Sequence, residues 1–161
     1  MTKVSVCMAA YNHERYVGTA IQSVLDQTFQ DWELIITDDA STDRTPEIIR
    51  SFSDPRIKFF SSAHNQGIAA NTANCIRESQ GTYIAILNSD DMFCPTKLEK
   101  QVQLLDSRPE VAAVFTHTWF INHRGGDYNK LNIGFYSNQR NIFNKPNRSR
   151  QEWLKYFFLP A

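Results

Sequence analysis

This 161-residue chain has only six glycines, at 18, 67, 81, 125, 126 and 134, and they cannot make a Gly-x-Gly-x-x-Gly turn. A Gly-x-x-x-x-Gly-Lys-Ser/Thr loop is missing too. Phosphate binding, if present, leans on a metal rather than on a glycine cradle. The three cysteines, Cys7, Cys75 and Cys94, show no zinc spacing, and their odd number suits no complete disulfide set, so they read as reduced, mostly buried thiols. Cys7 falls inside an apolar strand pattern and reads as core rather than as nucleophile. His13, His64, His117 and His123 lack metalloprotease spacing and read as surface or loop residues. The apolar run at residues 4–10 is short and broken by Ser5, which argues against a signal peptide or a membrane span and makes the cytoplasm the expected compartment. Net charge is zero, with 17 Lys and Arg against 17 Asp and Glu, so no overall field draws the chain to nucleic acid. Beyond residue 123, however, seven Lys and Arg stand against two acids. That basic region could face a phosphate or an anionic membrane; a solvated basic loop is the more ordinary reading.

With 42% hydrophobic and 12% aromatic residues, the chain can bury one core. Strand patterns at 4–9, 32–37, 57–60, 83–87 and 111–115 alternate with helical spacing at 17–25, 45–52, 67–79 and 98–105. Thr45 is expected to cap the second helix, with Pro46 in its first turn. Gly81 suits a left-handed helix terminus. Strands alternating with helices imply an α/β fold with a mainly parallel, doubly wound sheet covered on both faces. Beyond residue 115 the pattern changes. An extended stretch at 116–122, a turn at 124–127 and an amphipathic helix at 150–158 are expected. The expected domain division is 1–116, the α/β domain, and 117–161, a second region.

Acidic and amide residues collect where strands stop, the rim at which open α/β sheets bind ligands. Asn88, Asp90 and Asp91 follow the run Tyr83-Ile84-Ala85-Ile86-Leu87. Two carboxylates and an amide can hold Mg²⁺ or Mn²⁺, which keeps few protein ligands and fills its remaining positions with phosphate oxygens and water. The plainer alternative is an Asp that caps the loop before the next helix. Asp39, after the second strand, can accept from a nucleobase edge or a ribose hydroxyl, or can merely form a turn. Tyr11, just past the first strand, can pack on a base or beneath its loop.

The strings Val4-Ser5-Val6-Cys7-Met8-Ala9-Ala10-Tyr11-Asn12, Ser23-Val24-Leu25-Asp26-Gln27-Thr28-Phe29 and Trp32-Glu33-Leu34-Ile35-Ile36, with Asp38-Asp39-Ala40-Ser41-Thr42-Asp43, closely resemble the nucleotide-binding half of family two glycosyltransferases of the GT-A fold. Asn65-Gln66-Gly67 and Gly81 through Asp91 continue the match in order, over about residues 3–116. The resemblance implies transfer of a sugar from a nucleotide diphosphate donor, UDP-sugar favoured, with inversion at the anomeric carbon and a Mn²⁺ or Mg²⁺ cofactor. Ala9 and Tyr11 would line the base pocket and Asp39 would bind the base. Asn88 and Ser89 would lie beside ribose and diphosphate. Asp90 would be the metal ligand, the last acid of the family's Asp-x-Asp motif, with Asp91 supporting it or contacting donor.

Two positions depart from the family pattern. The first acid of the motif is Asn88, which should weaken metal binding without nucleotide. Where the family often has Arg-Asn, this chain has Thr72-Ala73, and Asn71 or Asn74 could substitute. No general base stands out after Asp127, and the apolar end at 153–161 would normally pack against further chain. The expectation is therefore an N-terminal piece of a longer enzyme, Rossmann-like and cut short, with its catalytic base beyond Ala161. Its acceptor would be a saccharide or glycolipid at the inner face of the membrane, with peripheral membrane association. The alternative is a noncatalytic nucleotide-sugar-binding or scaffolding module. A sugar-phosphate nucleotidyltransferase would need a glycine-rich loop where Ala9-Ala10-Tyr11-Asn12 stands.

Overall fold

In a computed structural model, which describes residues 2–116, 118 and 121, the first apolar run forms the central strand β1 (Val4–Ala10). Helix α1 (Val17–Leu25), β2 (Trp32–Asp38), α2 (Thr45–Arg50), β3 (Ile57–Ser61), α3 (Ile68–Arg77), β4 (Tyr83–Ile86) and α4 (Lys97–Ser107) follow. These four strands pair in parallel, in the order β3-β2-β1-β4. The chain builds outward from β1 through β2 to β3, then crosses back to place β4 on the other side of β1. That reversal is the switch point of the sheet, between β1 and β4.

Alternation along the strands divides the core. Val4, Val6, Met8 and Ala10 of β1, with Trp32, Leu34 and Ile36 of β2, pack with Val17, Ala20, Ile21 and Val24 of α1, Ile49 of α2 and Leu98 and Val102 of α4. On the opposite face Cys7 and Ile35 meet Cys75 of α3. Burial on both faces is why β1 and β2 read as continuous rather than alternating apolar runs. The Cys7 thiol is pushed well up by its hydrogen bond with Cys75 and by burial, which fits a core residue and not a nucleophile. Cys94 is exposed, unlike the other two cysteines. Among the described strands β4 stands at one end of the sheet, with Ile84 and Ile86 42% and 50% exposed.

Three local expectations change. Residues 111–115 form no strand; the Val114 carbonyl instead accepts from Gln101 Nε2 at 3.3 Å. Thr45 is the first residue of α2 rather than its cap, because its Oγ1 accepts the His13 N–H at 2.8 Å. Its own N–H goes to Asp43 Oδ1 at 2.9 Å, so the acid two residues upstream takes over the capping work. Gly81 has no left-handed backbone; the described glycine with positive φ is Gly67, at 86°, which starts α3. Gly81 is required by close approach, since a Cβ there would lie 2.5 Å from Ser5 N and 2.8 Å from the Val4 carbonyl carbon. Those are backbone atoms and cannot swing aside. The stretch, turn and helix expected beyond residue 116 lie outside the described residues, apart from 118 and 121.

Candidate functional site

Three adjacent strands carry the expected site residues to one rim. In register, Ala9 pairs with Thr37 and Ala10 with Asp38, and the Asp39 N–H bonds the Ala10 carbonyl at 2.9 Å. On the other side of β1, the Leu87 N–H bonds the Cys7 carbonyl at 3.0 Å and delivers residues 88–91 to the same end. Ala9 is half-buried and Tyr11 43% exposed, so the Tyr11 ring stands on the surface and not beneath its loop.

The loops after β1 and β2 are laced together. Asn12, at φ 52°, donates its N–H to Ser41 Oγ at 2.9 Å and accepts the Thr42 N–H on Oδ1 at 2.8 Å. The Glu14 N–H reaches Asp43 Oδ2 at 3.0 Å, and the Arg44 N–H reaches Glu14 Oε2 at 3.1 Å. Burial would raise the Asp43 carboxyl, but hydrogen bonds from Thr45 and the Glu14 N–H outweigh it and hold the group below the ordinary aspartate range.

The pair Asp38-Asp39 divides its labour. Asp38 is the turn former, accepting from the N–H and hydroxyl of Ser41. Asp39, only 3% exposed, reaches instead to the loop before α3, where it accepts the N–H of Gln66 at 2.7 Å and of Gly67 at 2.8 Å, one on each carboxylate oxygen. A carboxylate offers roughly four acceptor positions, so Asp39 keeps capacity for a further donor. Gly67, at φ 86° and ψ 158°, occupies backbone space open essentially to glycine alone. Asn71 is fully buried, with Nδ2 on the Gly67 carbonyl at 3.2 Å and Oδ1 taking the Ser62 hydroxyl at 3.3 Å. Its amide is thus spent inside the fold, whereas Asn74 stays half-exposed with its Oδ1 on Arg77.

In the loop after β4, Asn88, Asp90 and Asp91 are exposed and Ser89 is buried. Asn88 Nδ2 donates to Asp91 Oδ2 at 2.9 Å, and the Asp91 N–H returns to the Asn88 carbonyl at 3.1 Å. The Ser89 hydroxyl meets His13 Nδ1 at 2.7 Å. Farther along, buried Gln27 donates to the Cys94 carbonyl and accepts the Leu98 N–H, at 2.9 and 3.0 Å, and Ser23 Oγ accepts the Phe93 N–H at 3.0 Å. Ser23 and Gln27 lie in a recognisable sequence string, but their work as anchors of the acidic loop shows only in three dimensions.

Among the described residues no three His, Cys, Asp or Glu side chains group to form a complete metal cage. A hard cation that takes one or two carboxylates and completes its shell with phosphate and water needs no such cage. The oxygen donors of Asp90 and Asp91, exposed at the rim, fit that demand.

The family model for glycosyl transferase family 2 matches residues 5–159. The chain belongs to glycosyl transferase family 2. It is 38% identical over 102 residues to the Escherichia coli UDP-Glc:alpha-D-GlcNAc-diphosphoundecaprenol beta-1,3-glucosyltransferase WfgD, a match that covers 63% of this chain and 40% of that protein. The crystal structure of S. aureus TarS 1-349 in complex with UDP-GlcNAc superposes with a TM-score of 0.65 at 24% identity, covering 67% of this chain and 32% of that one. The mannosyltransferase PcManGT from Pyrobaculum calidifontis, in complex with GDP-Man and Mn²⁺, superposes with a TM-score of 0.60 at 22% identity, covering 64% and 32%. These structural likenesses establish a four-stranded parallel sheet of the GT-A, Rossmann-like kind. This family 2 chain spans less than half the length of such curated relatives. Among its described residues no helix is long and apolar enough to cross a membrane.

Proposed function

We propose that this chain carries the nucleotide-sugar donor site of an inverting, divalent-metal-dependent glycosyltransferase, with a UDP-sugar as the favoured donor and a saccharide or glycolipid as acceptor. The observation that carries this reading is the convergence of Tyr11, Asp39 and residues 88–91 on the ends of three contiguous strands flanking the switch point. Tyr11 presents an exposed ring on which a base can lie, beside Ala9. Asp39, pre-positioned by two backbone N–H groups, accepts from the base edge. Asn88 and Ser89 flank ribose and diphosphate. Asp90, with Asp91, holds Mg²⁺ or Mn²⁺. That cation, when bound, offsets charge on the departing diphosphate. UDP is favoured because the curated relative WfgD is named for a UDP-Glc donor, and TarS is solved with UDP-GlcNAc. PcManGT, solved with Mn²⁺, supports the metal.

The domain division at 116, a membrane-face location and a general base in the acceptor-binding half complete the proposal. A noncatalytic nucleotide-sugar-binding module would keep the same rim, and sugar transfer is what separates the two.

The test is the melting temperature of the chain with UDP, GDP or ADP, each with Mn²⁺ or with chelator. A ligand at about a hundredfold over its Kd stabilises by about 2.7 kcal/mol, roughly 5–10 °C in a domain of this size. The expected result is a shift with UDP that needs Mn²⁺. No shift with any nucleotide would contradict the donor-site reading.

A further inference from the structure

The switch point is spanned by a side-chain pair of which one member, His13, has no task in the donor roles above. His13 lies in the loop after β1 and Ser89 in the loop after β4, 76 residues away in sequence, with His13 Nδ1 and Ser89 Oγ 2.7 Å apart. We propose that His13 is a positioning residue of the donor site, which sets the pose of Ser89 and through it that of the neighbouring Asp90. This inference rests on the donor-site reading and deepens it.

The backbone of His13 is held from both directions. Its N–H donates to Thr45 Oγ1 at 2.8 Å, and Thr45 is fully buried at the start of α2. Its carbonyl accepts the N–H groups of Tyr16 and Val17, at 3.0 and 2.9 Å, as α1 begins. The ring meets Tyr16 edge-on, with centroids 6.2 Å apart and planes at 83°. The imidazole is thus mounted on two helix starts rather than on a free loop. Ser89, 1% exposed, sits between two exposed residues, Asn88 and Asp90. Among the described residues its hydroxyl has no hydrogen-bond partner other than His13. A buried hydroxyl seeks a partner, so removing the imidazole frees Ser89 to turn toward another. Asp90 is joined to Ser89 by a single peptide unit and moves with it. The turn closed between Asn88 and Asp91 is internal to the loop, so it can travel as a unit and does not replace the tie to His13.

The experiment compares the wild-type chain with His13→Asn, His13→Leu and Ser89→Ala by calorimetric titration with UDP plus Mn²⁺ and, separately, with uridine. Asparagine keeps a hydrogen-bonding group near the Nδ1 position, and leucine keeps bulk alone. His13→Asn is expected within about threefold of wild type for UDP plus Mn²⁺, and His13→Leu about tenfold weaker, the loss of one hydrogen bond's worth of affinity. Ser89→Ala should match His13→Leu. Uridine, which lacks the diphosphate, should bind the wild-type chain and the two His13 variants alike. An equal loss of uridine and UDP affinity would show a merely structural role, and wild-type UDP affinity in His13→Leu would show none; either overturns the proposal. Failure of the wild-type chain itself to bind UDP with Mn²⁺ would remove the donor-site reading and this inference together, an outcome distinct from both.

Discussion

Replacing Glu33 with alanine is expected to lower folding stability by about 2–4 kcal/mol, measured by urea unfolding at neutral pH. Glu33 is the second residue of β2, on the face covered by α3, and is 5% exposed. Its Oε1 accepts the Ser5 hydroxyl at 2.6 Å and the Gln80 N–H at 2.7 Å, and its Oε2 pairs with Lys58 Nζ at 2.8 Å. Ser5 Oγ in turn accepts the Gly81 N–H at 2.8 Å, at the point where Gly81 lies against the backbone of β1. Removing the carboxylate orphans the Ser5 hydroxyl and the Gln80 N–H together. Lys58 is 37% exposed and can turn to water, which keeps the loss below that of a fully buried pair.

The same carboxylate gives stability a direction with pH. Burial pushes Glu33 up, but the Lys58 ion pair and the hydrogen bonds from Ser5 and Gln80 outweigh it and leave the group below the ordinary glutamate range. A depressed folded-state value means that the contribution is present above the unfolded-state value of about 4.3 and is lost as pH falls through the folded-state one. The stability gap between wild type and Glu33→Gln should therefore narrow below about pH 4.

Asp39→Asn is expected to have two effects at once. An amide retains one acceptor oxygen and turns the other position into a donor, which then faces the Gln66 or the Gly67 N–H. The strained glycine start of α3 loses a latch, at a cost of about 1–3 kcal/mol by thermal or urea unfolding. Nucleotide affinity should fall by at least about tenfold, because the base edge loses a charged acceptor as well as its pre-positioned loop. A variant that lost stability but bound UDP as before would assign Asp39 to the fold alone.

Strands β1 and β2 were legible because they are buried on both faces and read as unbroken apolar runs ending in polar loops. The stretch Val111-Ala112-Ala113-Val114-Phe115 carries the same local signal and is not a strand in the structure. A short apolar run becomes a strand only where an edge is offered to it, a condition that no local pattern reports. Gly81 shows a related limit. Glycine is needed either for left-handed backbone or for close approach, and one letter cannot tell which. The caps failed similarly: Thr45 carries a capping side chain, but a loop 32 residues earlier claims its oxygen. The acidic rim was legible as residue types at strand ends. The partition of Asp38 to a turn and Asp39 to the Gln66 and Gly67 N–H groups was not, and neither was the contact between His13 and Ser89. Both depend on which strands the crossover makes neighbours.

The central claim, a metal-assisted donor site at the switch point, is tested most directly by calorimetric titration of UDP in Mn²⁺ into the wild-type chain and into Asp90→Ala. Asp90 is exposed, so its removal should leave the melting temperature of the nucleotide-free protein nearly unchanged. The account predicts UDP affinity at least about tenfold weaker in Asp90→Ala, with the remaining affinity no longer sensitive to chelator. Equal affinity in the two proteins, with the same dependence on Mn²⁺, would contradict it.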